Sequence, residues 1–294
     1  MKVTRRDAPD GVSVIIPNLN GGRTLGFQLE ALAGQDFDGD WEVILADNGS
    51  TDESVQVALS WRDRLPALKV VHAERRGAGA ARNAGASLAR SDFLAFCDSD
   101  DVVDRGWVRA LSSAALNHDV VGGAIEQELL NADSDFPRPD VDTERLSRIL
   151  GRFSYVPAGN CGIWSDVFDA LGGWNEDFSI CMEDQELSIR AALAGYDLGL
   201  APGAVVHYRH REDLRSFVHQ QFRYAREEVR LYREFRHTGV RRNRRKTVLK
   251  AWAWLGWHLP DAFRSGHLRA DWLRKGATRV GRLVGSVRYR TVFL

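Results

Sequence analysis

The chain has 294 residues, of which 44% are hydrophobic and 27% charged, and its formal net charge is zero. This composition is typical of a globular protein with one large or two small domains. No stretch reaches the roughly 18 apolar residues of a spanning helix, and Cys97, Cys161 and Cys181 lack the spacing of a metal site, so they indicate free thiols in a reducing cytoplasm.

The zero net charge conceals an asymmetry along the chain. Residues 205–294 contain 22 Lys and Arg against 7 Asp and Glu, whereas residues 1–204 contain 18 basic and 33 acidic residues. The pattern predicts an acidic body carrying a basic C-terminal arm. Such an arm favours an anionic partner, which leaves lipid head groups, nucleic acid and the acidic body itself as alternatives.

The first hundred residues alternate between apolar runs and helical spacing. Buried strands are predicted at 12–17, 41–46, 68–71 and 91–96, and helices at 24–33, after the turn at 47–52, and from Gly77. Proline at position 17 is expected to close the first strand. Strands that alternate with helices in this way predict an α/β fold with a mostly parallel sheet, in which polar sites lie at the carboxyl ends of the strands.

The next hundred residues continue the pattern less regularly. Helices are predicted at 107–116 and 165–171 and from Met182, and strands at 120–121 and 196–207. Residues 131–145 are polar with two prolines, which predicts a mobile loop. Residues 155–164 contain proline and glycines, which predicts an irregular segment.

Three carboxylates follow the apolar run at 93–96. Asp98, Asp100 and Asp101 would repel one another, and burying them unpaired would cost several kcal/mol. A hard divalent cation such as Mg²⁺ would relieve this repulsion, since it takes oxygen ligands. The alternative is a solvated acidic turn. Loops after the strands at 12–17 and 41–46 are expected at the same edge of the parallel sheet, and this convergence favours the metal site.

The segment Gly77-x-Gly79 is a candidate dinucleotide loop, but its third glycine position is Arg82, and a GxG alone is weak. Near a helix N-terminus, Arg82 is better placed to pair with a diphosphate or with one of the aspartates.

Taken in order, seven segments resemble family 2 glycosyltransferases, the inverting enzymes of the GT-A fold: VSVIIPNLN, LADNGSTD, GAGAARNAG, FCDSDD, GGWNEDF, MEDQELSIR and PGAVVHYRHR. The match covers residues 12–211. It implies a catalytic domain at 1–211, with a nucleotide-sugar half at about 1–103 and an acceptor half at about 104–211. Residues 212–294 are then a basic, Trp-containing helical extension.

The resemblance implies a role for each matching position. Asp184 is implied as the catalytic base and Arg82 as a neighbour of the diphosphate. Asp98 and Asp100 are implied as the two acids of a DxD metal site, with Asp100 the more direct metal ligand and Asp98 nearer the ribose. Either His207 or His210 is implied to reach the metal or diphosphate. Further contacts to the nucleotide sugar are expected from Pro17, Asn18, Asn20, Asp47 (to the base) and Asn48, and candidates on the acceptor side are Asn160, Trp174 and Glu183. Two positions depart from the family pattern, Leu19 where a tyrosine is common and Asn48 where a second acid is common.

These roles describe transfer of a sugar from a nucleotide diphosphate sugar to a hydroxyl of a glycan or lipid-linked acceptor, in cell-envelope or exopolysaccharide synthesis. Mg²⁺ or Mn²⁺ and Arg82 would stabilise the leaving diphosphate, while a carboxylate takes the proton of the acceptor hydroxyl. The alternatives are a sugar nucleotidyltransferase and a catalytically silent nucleotide-sugar binder or membrane scaffold.

The C-terminal arm has helical spacing at 217–236, then a basic run at 241–246 and three tryptophans, Trp252, Trp254 and Trp257. This combination predicts either a helix lying on an anionic membrane or a helical hairpin packed on the body. Nucleic acid is disfavoured because no reading module accompanies the charge. The expected location is cytoplasmic, with peripheral binding at the inner face of the plasma membrane.

Overall fold

Strands alternate with helices in the first two thirds of the chain, as the sequence predicts. A computed structural model describes residues 6–132, 142–211, 213–242, 245–264 and 266–294. Its strands are Val12–Asn18 (β1), Trp41–Asp47 (β2), Lys69–His72 (β3), Phe93–Cys97 (β4), Val102–Val103 (β5), Val120–Glu126 (β6), Arg148–Ile149 (β7), Phe153–Ser154 (β8), Asn160–Trp164 (β9) and Leu198–His207 (β10). The α-helices are Leu25–Ala33 (α1), Ser54–Leu59 (α2), Ala78–Ala86 (α3), Trp107–Ala115 (α4), Ser165–Ala170 (α5), Glu183–Ala194 (α6), Leu214–Phe235 (α7), Arg245–Trp257 (α8) and His267–Arg288 (α9), with 3₁₀ helices at Arg236–Thr238 and Leu259–Phe263.

The chain divides into two units. The first comprises the described parts of 1–129, 141–148 and 153–209, and the second comprises those of 130–140, 149–152 and 210–294. The two halves proposed for the catalytic domain stay a prediction.

An eight-stranded sheet forms the core of the first unit, in the order β3-β2-β1-β4-β9-β6-β10-β5. Strands β3, β2, β1 and β4 are parallel, and β6 and β10 are parallel to each other, while β9 and β5 run antiparallel to their neighbours. The predicted mostly parallel sheet with flanking helices is therefore confirmed. All seven residues of β1 are buried, as expected of a central strand covered on both faces. It runs one residue past Pro17, which lies in register with Ala46.

Strand β9 corrects the prediction of an irregular segment at 155–164. Its five residues are buried and pair with β4, and three of them, Cys161, Gly162 and Ile163, also pair with β6. Its glycine has a packing role, because a Cβ atom at Gly162 would lie 2.4 Å from the Phe93 ring. Glycine has a weak strand propensity, but it is required at this position because the Phe93 ring lies too close for any side chain. Much of the loop predicted at 131–145 lies outside the described residues.

Two long helices, α7 and α9, pack closely in the second unit. A Cβ atom at Gly281 would lie 2.5 Å from the Phe222 carbonyl oxygen, and one at Gly285 would lie 2.7 Å from that of Arg226. Two glycines one turn apart therefore let α9 approach the backbone of α7. The contact is reinforced by a bidentate ion pair from Arg282 to Glu228.

We expect Gly281→Ala to destabilise the second unit by about 1–3 kcal/mol, because the new methyl group must push the two helices apart. The matched control is Gly276→Ala in the same helix, where a Cβ atom meets only Leu255 Cδ2 at 4.0 Å. That change should stabilise by about 0.5–1 kcal/mol, the ordinary helix preference for Ala over Gly. Urea unfolding midpoints measure both, and equal shifts in the two variants would contradict the close helix contact.

Within the described residues, no helix combines the length and apolar character needed to cross a membrane.

Candidate functional site

The loops after β1 and β2 lie side by side at the carboxyl edge of the sheet. Asn18 and Asp47 end these strands in register, and the Asn18 amide donates to Asp47 Oδ1 at 3.3 Å and to Ser50 Oγ at 3.0 Å. Asp47 Oδ2 accepts from the backbone N–H groups of Gly49 and Ser50. Burial opposes ionisation, but these hydrogen bonds outweigh it and lower the pKa of Asp47 below its ordinary value. Asp47 is therefore a fixed, ionised acceptor.

Two asparagines shape these loops from within. Asn48 donates to the Arg75 carbonyl oxygen and accepts from the Gly77 N–H, both at 2.7 Å. Asn20 has a φ of 54° and accepts from the Thr51 N–H at 2.8 Å. Asn48 thereby ties the loop after β2 to the residue that precedes α3, and Asn20 ties the loop after β1 to its neighbour.

The three carboxylates after β4 converge. Oxygen atoms of Asp98, Asp100 and Asp101 all lie within 4.8 Å of one another. Asp101 is 2% exposed, and burial, then repulsion from Asp100 and Asp98, raises its pKa well above the ordinary range. Arg209 braces this turn, donating from its backbone N–H to Asp101 Oδ1 and from Nε to the Asp100 carbonyl oxygen.

This donor set fits a divalent cation. It offers only oxygen ligands, which suit Mg²⁺ and Mn²⁺. A bound cation would also offset the repulsion between the carboxylate of Asp101 and those of Asp98 and Asp100. The sequence prediction placed Asp101 in the acidic run but gave it no ligand role, and the structure brings its carboxylate together with those of Asp98 and Asp100.

Arg82 joins the acidic cluster to the start of α6. It is 3% exposed, and it donates from Nη2 to Asp98 Oδ1 at 2.7 Å and from Nη1 to Glu183 Oε1 at 2.9 Å. Its guanidinium carbon lies 5.2 Å from the centre of the Trp174 ring. Burial opposes its charge, but the two carboxylates outweigh burial and raise the pKa of Arg82 above its already high value. The sequence left open whether Arg82 pairs with a diphosphate or with an aspartate, and the structure shows a pair with the aspartate Asp98.

Asp184 lies at the first turn of α6. The preceding Met182 has a φ of 74°, a strained conformation for a residue with a side chain. Burial, with a smaller contribution from the neighbouring Glu183 carboxylate, raises the pKa of Asp184 to about 7. A carboxyl group with this pKa can accept a proton near neutral pH, as a general base must.

Tyr155 contributes to the surroundings of Asp184, although the sequence analysis did not select it. Burial raises the pKa of its phenol, and the charge of Asp184 adds to the shift. Tyr155 lines a cavity of about 110 Å³ together with Ser147 and Pro157. A single tyrosine in an irregular stretch gives no motif, so only the fold could place it here.

The residues predicted for the acceptor side are buried, and their acceptor roles stay predictions. Asn160 has no exposed surface, and its amide donates to the carbonyl oxygens of Ala124 and Ala204 and accepts from Trp107 Nε1. It fastens neighbouring strands and has no free donor. Trp174 is 1% exposed and packs edge-on against Phe96.

Because both side chains are buried, Trp174 packs against the guanidinium of Arg82, and Glu183 is a buried hydrogen-bond partner of that arginine.

The two candidate histidines have separate surroundings. His207 Nδ1 lies 2.7 Å from Glu126 Oε2, and its Nε2 lies 3.9 Å from Asp104 Oδ2. His210 belongs to the second unit, where its backbone N–H donates to Asn131 Oδ1. A metal-binding role for either histidine stays a prediction.

Comparison with known proteins shows which family this chain resembles. Residues 13–171 match the pattern described as Glycosyl transferase family 2, and residues 130–270 match Glycosyl transferase family group 2. The chain is 37% identical over 210 residues to the putative glycosyltransferase EpsH of Bacillus subtilis, a match covering 67% of this chain and 60% of EpsH. It spans about a third of two other curated glycosyltransferases that it matches.

Solved structures show the same fold. The chain is similar to S. aureus TarS 1–349 in complex with UDP-GlcNAc, with a TM-score of 0.56 and 20% identity, covering 95% of this chain and 92% of that one. It is also similar to the mannosyltransferase PcManGT of Pyrobaculum calidifontis in complex with GDP-Man and Mn²⁺, with a TM-score of 0.58 and 17% identity, covering 97% and 73%. These neighbours confirm the GT-A fold.

Proposed function

We propose that this chain, which belongs to glycosyl transferase family 2, transfers a sugar from a nucleoside diphosphate sugar to an acceptor hydroxyl with inversion at the anomeric carbon. One observation carries the proposal. The buried guanidinium of Arg82 bonds both Asp98 and Glu183, so the acidic cluster and the carboxyl group of Asp184 flank the same arginine. Donor and base chemistry would thus meet in one crevice.

The donor half of the proposal rests on the loops after β1, β2 and β4. Asp47 is ionised and accepts hydrogen bonds, which suits an N–H group of a nucleotide base. Asp98, Asp100 and Asp101 would hold a divalent cation, which when bound neutralises the negative charge of a diphosphate. Arg82 supplies a permanent positive charge directly behind this cluster.

The acceptor half rests on Asp184 and the cavity at Tyr155. Asp184 would take the proton of the acceptor hydroxyl as the hydroxyl oxygen bonds to the anomeric carbon. The bond from that carbon to the diphosphate breaks, and the diphosphate leaves with the electron pair. With base and leaving group on opposite faces of the sugar, a single displacement would invert the configuration.

For the acceptor we propose a glycan or lipid-linked sugar in cell-envelope or exopolysaccharide synthesis. The support is the positive charge of residues 205–294, with a surplus of 15 basic residues. A basic surface of this kind attracts anionic, membrane-linked substrates.

The donor half is tested by Asp100→Ala. Thermal-shift titrations of UDP and GDP with Mn²⁺ or Mg²⁺ should show stabilisation of the wild-type chain that grows with ligand concentration. We expect the variant to lose the cation-dependent part of this affinity, a weakening of about tenfold or more, because one missing carboxylate leaves an incomplete ligand set. The control is Asp63→Ala, an exposed acid outside the cluster, which should bind as the wild type does. Equal cation dependence in Asp100→Ala and the wild type would refute the assigned ligand.

A further inference from the structure

Helix α8 presents an apolar face outward. Trp257 is 83% exposed, Leu249 69% and Trp252 38%, and at 100° per residue these three lie on one side of the helix. Leu255, on the other side, is buried, and its carbonyl oxygen accepts from Trp272 Nε1 of α9 at 3.0 Å. Helix α8 is therefore already packed through one face, and its exposed face needs another explanation.

The apolar surface continues past the helix. The 3₁₀ helix that follows α8 exposes Leu259 and, at 85%, Phe263. Single exposed apolar residues are ordinary, but a group of five within fifteen residues is typical of an interaction site. We call Leu249, Trp252, Trp257, Leu259 and Phe263 the α8 surface.

Positive charge accompanies the α8 surface. Lys246 and Lys250 are exposed on the same side of α8 as Leu249 and Trp257. Residues 241–270 contain eight Lys and Arg but a single acid, Asp261, and that acid is paired with Arg264 at 3.2 Å. The partner of this surface should therefore be apolar at its centre and negatively charged around it.

A second copy of the chain does not meet this description. A symmetric dimer through the α8 surface would place the same lysines and arginines of both copies against one another, which is unfavourable. Nucleic acid supplies the negative charge, but it binds exposed aromatic side chains by base stacking and gives no role to exposed leucines such as Leu249 and Leu259. A lipid surface supplies both the acyl layer and anionic head groups.

We propose that the α8 surface docks this protein on an anionic lipid bilayer. Trp257 and Phe263 enter the boundary between head groups and acyl chains, where amphipathic and aromatic side chains are stable. Lys246 and Lys250 lie at the head groups, where each basic residue adds about 1 kcal/mol of attraction. The helix lies in the plane of the surface. This docking does not depend on the proposed transfer reaction.

The test is co-sedimentation of the full chain with vesicles of phosphatidylcholine alone or with about 30% phosphatidylglycerol, at low and physiological salt. We expect binding only to the anionic vesicles, weakened by salt. The double variant Trp257→Ser with Phe263→Ser should bind about a hundredfold or more weakly, since each buried side chain contributes about tenfold or more. Lys246→Gln should weaken binding about fivefold.

The matched control is Leu59→Ser, which removes an exposed apolar side chain at the end of α2 and should leave vesicle binding unchanged. Circular dichroism melting of each variant verifies folding. The proposal is overturned if the wild-type chain does not bind anionic vesicles at low salt, or if Leu59→Ser weakens binding as much as the double variant. A dimer in sedimentation, or binding to an oligouridylate, that requires Trp257 and Phe263 in the absence of vesicle binding would overturn it equally.

Discussion

Replacing Asp184 by Asn is expected to lower kcat by roughly two to four orders of magnitude, the range that a positioned general base contributes. Asparagine keeps the size of the side chain but cannot take the proton of the acceptor hydroxyl. The measurement is release of nucleoside diphosphate in the presence of donor and acceptor. Donor affinity should change little, because Asp184 lies outside the cation cluster.

The pH profile of the wild-type chain gives an independent reading of the same group. With the pKa of Asp184 raised to about 7, kcat/KM should rise about tenfold per pH unit below 7 and level off above it, since the base must be ionised. The residual activity of Asp184→Asn should lack this rise. A profile in the variant that matches the wild type would assign the titration to another group.

Stability serves as the folding control for Asp184→Asn. A carboxyl group whose folded pKa lies above its unfolded value of about 3.9 binds protons on folding, so its contribution to stability is lost as the pH rises through 7. Asparagine does not ionise and avoids this loss. We therefore expect Asp184→Asn to melt at or above the wild-type temperature at pH 8, and a large drop would mean that its inactivity reflects unfolding.

The sequence predicted the elements in which local and global preferences agree. The strands β1, β2 and β4 are continuous apolar runs that end in polar loops, and because the sheet is parallel, those loops had to meet at one edge. Asp47, Asp98 and Asp100 were selected as candidate site residues for this reason. The buried Asp101 belonged to the same acidic run, and only its side-chain direction was missing from the sequence.

Other residues were out of reach of sequence reasoning because their roles depend on distant partners. Strand β9 was missed since Gly162 lowers strand propensity, and its reason is a ring contributed by Phe93 in a different strand. Asn160 is of a residue type that is common in binding sites, yet its amide forms hydrogen bonds to three separate segments in the core. The apolar residues of α8 have the spacing expected of a helix packed in a core, and only its packing against α9 shows which side of the helix is buried.

Arg82→Met is expected to destabilise the first unit by about 3–5 kcal/mol, the usual effect of removing one partner from a buried ion pair. Methionine fills a similar volume, so the loss comes chiefly from charge. Asp98 and Glu183 would then face each other without the guanidinium that now bonds both. Urea unfolding at pH 7 measures the change.

Two further variants separate charge from geometry in this bridge. Arg82→Lys keeps the positive charge but loses the planar fork that reaches both carboxylates, so it should recover only part of the stability. Adding Glu183→Gln to Arg82→Met removes one of the two orphaned charges and should also recover part, as a favourable coupling in a double-mutant cycle. If the effect of Glu183→Gln is simply additive, Glu183 does not depend on Arg82. Other contacts then hold the acidic cluster and the Asp184 helix together.

If the coupling is found, the arginine that stabilises the fold also keeps the predicted base beside the predicted leaving group. Its loss should then depress transfer even where the variant remains folded.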